Sequence, residues 1–230
     1  MTQPAEDFHE DEKARRPVRV VTAIPEELDH IVYATPRLEE TVGGFTDLTG
    51  VRPVAGGSHP GRGTRNCLVA LGDRSYLEFI GPDPEQPAPA QPRPFGIDRL
   101  TTPAVATWVL RPADFDVRVK AFCERGYDPG RILTMSRAAA DGTRLTWRLT
   151  DVDAGHPSGL VPFLIDWGSS WHPTRAALPE VTLTGLVMRA PDAPEVSSRL
   201  RALGVRAAVT TGPRRLAFTV DGPTGPVTFG

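Results

Sequence analysis

The sequence predicts an α+β fold of repeated βαβββ modules, three copies with the third shortened, whose curved mixed sheets enclose a cup. The main observation is a strand–proline–helix–glycine phrase that occurs three times, starting at Leu28, Ala104 and Leu183, 76 and 79 residues apart. A proline stands eight residues into each copy (Pro36, Pro112, Pro191), and a glycine follows thirteen or fourteen residues later (Gly50, Gly126, Gly204). Strand-like runs come after each glycine. A unit of this kind leaves a sheet face that its single helix cannot cover, so two units pair and share a concave interior. With three units, one is left to pair with a second chain or to pack outside the cup.

The elements follow in order. Residues 1–26 are polar, charged and aperiodic, and read as a disordered N-terminal lead. In Leu28–Thr35, His30, Val32 and Ala34 share one face while Ile31 and Tyr33 share the other. Pro36 suits the first turn of a helix. Leu38, Val42, Phe45 and Leu48 continue at helical spacing to the stop at Gly50. Residues 52–63, rich in Gly and Pro, read as a loop. Asn66–Leu71 and Ser75–Ile80 are strands joined at Gly72-Asp73. Six prolines among residues 82–94 make 82–102 an extended linker between the first module (27–81) and the second (103–168). The second module has a strand at Val105–Leu110, a helix over Ala113–Glu124, and strands near Ile132–Ser136, Thr143–Thr150 and Val161–Trp167. Residues 27–172 therefore form one paired body and 173–230 the third module. This last has a strand at Thr182–Arg189, a helix at Asp192–Leu203 and three short strands.

Bulk properties exclude several classes. The 230 residues suffice for a sizeable core. A formal charge of -2 without a basic, aromatic-laced run gives no footprint for nucleic acid. No apolar run approaches the roughly 20 residues that span a bilayer, and the N-terminus lacks a signal-peptide core. A soluble, cytoplasmic protein is the expectation. Cys67 and Cys123 read as buried thiols and supply no disulfide framework.

The copies differ in the residues that carry chemistry. Only the first has a histidine, His30, in its opening strand, and Glu78 lies in the apolar run Tyr76–Ile80 of the same module. A carboxylate there needs a partner or a metal. If both face inward they form two legs of a site for Zn, Fe, Mn or Ni, or else His30 is a core histidine bonded to Glu78. Asp166 is the second module's candidate metal ligand, or a strand-end acid. His59, in a Gly-rich segment, is a third ligand or a catalytic base. Beside it, Arg62 or Arg65 is a candidate to hold a substrate carboxylate and Asn66 to orient a ligand, and Trp108, Trp167 and Trp171 are candidate pocket walls, with packing as the plain alternative. His172 follows the second module's last strand; it and His9 and His156 receive no role.

Leu28–Tyr33, the helix ending at a glycine, and Tyr76–Ile80 resemble the vicinal oxygen chelate (VOC) superfamily. His59-Pro60-Gly61 through Asn66, with Phe163–Trp167, is similar to its glyoxalase-like domain branch. The resemblance covers about residues 27–230. It implies a glyoxalase/bleomycin-resistance/dioxygenase-like fold and a divalent metal chelated by two substrate oxygens. Its members include lactoylglutathione lyase, extradiol dioxygenases, epimerases and antibiotic-resistance proteins. His30 matches the first-strand ligand and Glu78 the last-strand ligand, whereas the second module offers Ala106 at the corresponding place. The expected function is a metal-dependent lyase, isomerase or dioxygenase acting on a small molecule with vicinal oxygens. A metal-free binding or sequestering protein is the alternative. A homodimer is a further expectation.

Overall fold

Each of the three helices stops where the repeated phrase places its glycine. In the computed structural model, which describes residues 24–139, 142–151 and 158–230, Gly50, Gly126 and Gly204 all have φ between 74° and 76°. His9, His156 and most of the expected N-terminal lead lie outside the described residues. A left-handed residue turns the chain out of a helix, and glycine adopts it without a Cβ clash. The prolines sit just ahead of the helices instead of inside them: α1 (Leu38–Thr49) begins two residues after Pro36 and α2 (Phe115–Glu124) three after Pro112. Asp114 caps α2 by accepting from Val117 N–H.

The first module is β1 (Leu28–Ala34), α1, β2 (Val54–His59), β3 (Thr64–Ala70) and β4 (Tyr76–Pro82). The second is β5 (Ala104–Leu110), α2, β6 (Ile132–Ala138), β7 (Arg144–Thr150) and β8 (Phe163–Asp166). The opening strands β1 and β5 pair antiparallel, which joins the modules into one eight-stranded sheet in the order β2-β3-β4-β1-β5-β8-β7-β6. The sheet curls until its two edges meet. Arg137 on β6 donates from Nη1 to the carbonyl of Gly56 on β2. A Cβ on Gly57 would lie 2.5 Å from the Ala138 carbonyl oxygen, and one on Gly56 2.3 Å from Asn66 Oδ1. Much of the segment expected as a loop is therefore strand. Gly57 permits close approach of the β6 backbone and Gly56 leaves room for the Asn66 and Leu68 side chains, and the loop shrinks to the turn between His59 and Thr64.

Alternation along the strands sends one set of side chains to each face. Ile31, Leu77, Phe79 and Trp108 face the convex side under the helices; Val32, Tyr76, Ile80, Val109, Phe163 and Ile165 belong to the concave core. The third unit is β9 (Thr182–Ala190), α3 (Ala193–Ala202), β10 (Val209–Thr211), β11 (Arg215–Gly222) and β12 (Gly225–Phe229). It keeps the element order of the other two but pairs differently, as β10-β9-β11-β12, with β9 and β10 parallel. This sheet packs outside the cup, on the convex face. Phe229 lies 5.1 Å from Phe45 of α1 (ring centroids), and Arg118 of α2 bonds the Leu203 carbonyl. Its apolar residues share one continuous core with the convex side of the modules.

The proline-rich segment is more than a spacer. It folds back so that Arg93 Nε donates to the Gly63 carbonyl, and a short helical turn at Pro94–Arg99 buries Ile97. Phe95 in that turn has φ 58°, a strained value for a bulky side chain, and stands at the cup beside Phe163. Both cysteines are free thiols. Cys67 is buried as expected, but Cys123 is exposed because it lies about 100° round the helix from the buried Phe122.

Candidate functional site

The concave face encloses about 740 Å³ of empty space, its open mouth included. The first module lines one side with His30, His59, Asn66, Tyr76 and Glu78, and the second lines the other with Leu133, Trp147, Phe163, Ile165 and Trp167. The cup is thus polar on one wall and, Arg137 apart, apolar on the other.

His30 owes its setting to a bulge. The β1–β5 register shifts between Leu28 and His30, so Asp29 is an extra residue in β1. Asp29 is fully buried and accepts from His30 Nδ1 (2.6 Å), His172 Nε2 (3.1 Å) and Trp167 Nε1 (3.1 Å), with Arg111 Nε at 3.5 Å. Burial raises its pKa, but the hydrogen bonds from His172 and His30 outweigh that and hold it well below the usual carboxylate range. The charged Asp29 fixes the His30 proton on Nδ1, which leaves the Nε2 lone pair facing Glu78 Oε2 at 3.8 Å. Tyr76 stacks on the imidazole at 4.7 Å, and burial keeps its phenol protonated far above pH 10.

Glu78 is buried between two imidazoles. Its Oε1 accepts from Asn66 Nδ2 at 2.6 Å and faces His59 Nε2 at 3.9 Å. Asn66 Nδ2 is also 3.5 Å from His59 Nε2, and His59 Nδ1 is 3.0 Å from Thr64 Oγ1. A neutral His59 protonated on Nδ1 satisfies both contacts. Burial lowers the pKa of His59; Glu78 opposes that, while Arg137 and Arg62 reinforce it. The ring is therefore an uncharged base at neutral pH.

Of the residues expected at the site, the structure gathers His30, Glu78, His59, Arg62, Asn66 and Trp167. Four are elsewhere. Trp171 lines a separate cleft with Leu68 and Leu178. Asp166 points to the opposite side of β8, where Arg148 holds it at 2.7 Å and depresses its pKa against the effect of burial. One residue of strand is enough to reverse a side chain, so the even-numbered Asp166 leaves the face that Ile165 occupies. Trp108 is sealed in the convex core and donates to the Leu160 carbonyl. Arg65 pairs with Glu39 of α1 at 3.0 Å, outside the cup. The sequence reading missed Asp29, Tyr76, Arg137 and Trp147, and gave no role to His172. The one available signal was that an acid adjoined His30 in an otherwise apolar strand.

Two donors of one ion at about 2.1 Å each can stand up to about 4.2 Å apart. His30 Nε2 and Glu78 Oε2, at 3.8 Å, satisfy that bound. His59 faces the other oxygen of Glu78, so the three donors straddle the carboxylate. Among the described residues, no group of three or more His, Cys, Asp or Glu side chains converges to hold a metal. Across the cup, Ala106, Phe163 and Ile165 supply no donor. His30 and Glu78 therefore supply two donors that could share one ion, and the described residues add no third.

A family model described as a glyoxalase-like domain matches residues 28–204. No curated protein matches the chain. Among solved structures, a hypothetical protein from Staphylococcus aureus superposes with a TM-score of 0.56 at 11% identity, covering 88% of this chain and 84% of that one. Methylmalonyl-CoA epimerase from Mycobacterium tuberculosis gives 0.40 at 16% identity, over 60% and 85%. The Streptomyces coelicolor epimerase, in complex with 2-nitronate-propionyl-CoA, gives 0.41 at 21%, over 64% and 98%. No helix among the described residues is long and apolar enough to cross a membrane. With paired modules around a cup and a family match over most of its length, the chain belongs to the glyoxalase-like domain family of the VOC superfamily.

Proposed function

We propose that the chain is a glyoxalase-like enzyme acting on a small molecule with neighbouring oxygen atoms, with His30 and Glu78 holding a divalent metal ion. The observation that carries this is the pairing of His30 Nε2 with Glu78 Oε2 at 3.8 Å, beyond hydrogen-bond range and within the span of two ligands on one ion. The ion, from the Zn, Fe, Mn and Ni group, would supply Lewis-acid polarisation of a substrate oxygen. The chain's own residues do the rest. Asp29 locks the His30 tautomer, and Asn66 holds Glu78 in place. His59, neutral through burial, offers Nε2 as proton acceptor. The apolar wall excludes water from that end of the cup.

A second reading, a metal-free binding or sequestering protein, is favoured by Asn66, which already satisfies one Glu78 oxygen, and by the aromatic wall opposite. Metal analysis of protein purified without chelators, with thermal shift against the four ions, separates the two. The expected result is bound metal and an ion-dependent rise in melting temperature, both lost in His30→Ala and Glu78→Ala. Metal-free protein that no ion stabilises would leave the second reading standing. A cytoplasmic location and a homodimer belong to the same proposal, and a monomeric mass in light scattering would remove the dimer.

A further inference from the structure

We infer that Arg137 anchors a ligand carboxylate, so that the molecule taken by the cup is an organic acid with an aromatic or branched apolar body. This rests on the cup being the binding site proposed above and names its ligand class. Arg137 on β6 is only 5% exposed. Its Nη1 donates to the carbonyl oxygens of Gly56 and Ala138, and no carboxylate among the described residues stands within ion-pair distance of it. Nε and Nη2 have no hydrogen-bond partner among the described residues, yet neither is sealed off. Their access is through the two cavities whose walls Arg137 shares: the cup, and a second cleft of about 680 Å³ lined by Leu68, Ala139, Trp171 and Leu178.

A guanidinium stays charged at any working pH, and its Nε–H and Nη2–H form a fork that matches the two oxygens of a carboxylate. A buried cation without an anion is costly, which favours a ligand that brings one. Glu78 is near enough to favour the charged guanidinium against burial, but it makes no ion pair with Arg137, and its oxygens are engaged by Asn66 and face the two imidazoles. On its own module the wall beyond Arg137 is apolar, with Leu133, Met135, Trp147, Leu149 and Ile165, which suits an apolar body, while Arg62 reaches Met135 Sδ from the turn after β2. Latching the sheet edges uses only the Nη1 donors, so that structural task leaves the fork unaccounted for.

The test titrates full-length, chelator-treated protein with phenylacetate and 4-methylpentanoate, each against its neutral amide. The readout is the fluorescence of Trp147 and Trp167 in the cup. The acids should bind at least about tenfold more tightly than the amides, the scale of one charge-assisted bidentate contact. Arg137→Gln should abolish that preference while leaving amide binding in place. Arg137→Lys, which keeps the charge but not the fork, should reduce the acid-to-amide ratio at least about threefold, and it decides the matter if the glutamine variant does not fold. Equal binding of acid and amide, binding of neither, or a ratio unchanged in the variants would overturn the inference. Because the protein is stripped of metal, an acid preference can survive failure of the metal reading, and the reverse.

Discussion

The two halves of the cup have the same strand order and nearly opposite chemistry. The first module directs His30, His59, Asn66 and Glu78 inward; the second directs Phe163, Ile165, Trp147 and Leu133 to the equivalent wall. A duplicated scaffold therefore does not imply a duplicated site. What differs is a handful of positions on the inward face of each strand, and the backbone pairing tolerates either set. Arg137 apart, the second module's charge at this sheet lies on its outer side, where Arg148 bridges Asp166 and Asp116.

This division can be broken experimentally. The largest expected effect is Trp108→Ala in the second module, which should cost about 3–5 kcal/mol in urea unfolding, the range for truncating a fully buried large aromatic. Its ligand binding should survive under native conditions, since Trp108 does not face the cup; lost binding with unchanged stability would end the distinction. Next in size is a pH effect. Folding lowers the pKa of His59 and His172 below the usual 6.5, in both cases chiefly through burial. The unfolded chain then binds more protons, so stability should be level above about pH 7.5 and fall as pH drops through 6.5. His59→Gln should remove the first module's share of that slope and His172→Gln the share of the segment after β8. A slope unchanged in both variants would assign it elsewhere. Asp29, whose folded pKa is also depressed, adds a further loss only as pH falls below its usual 3.8.

Smaller again is Trp167→Phe, which deletes one donor to Asp29 and should cost about 1 kcal/mol, with weaker ligand binding. Smallest is Asp166→Asn. Its pair with Arg148 is partly solvent-accessible, so a change within about 1 kcal/mol and unaltered metal content are expected. Metal loss in that variant would return Asp166 to the site.

The fold was legible because it depends on period and punctuation. Alternation in Leu28–Ala34 put His30 on one face with Val32 and Ala34, which the structure makes the concave one, and the three glycines marked all three helix ends. The site was half legible. His30, Glu78 and Asn66 could be read because inward-facing polar residues in apolar strands are conspicuous. Asp29 could not, because strict alternation sends it to the other face from His30 and only a bulge, invisible in composition, reverses that. Asp166 failed for the complementary reason: a one-residue uncertainty in register decides which side of a sheet a side chain joins. Arg137 was hidden because its importance comes from β2 and β6 meeting across the sheet, a contact between residues 81 apart in the chain.

That meeting of β2 and β6 has a bearing on association. An open eight-stranded sheet would present two rows of unpaired peptide groups, each able to template pairing with another chain. Here each terminal strand shields the other, and a side chain at Gly57 would wedge them apart. Gly57→Val should therefore expose both rows at once, and its readout is self-assembly into β-rich aggregates at concentrations where the parent chain stays dispersed.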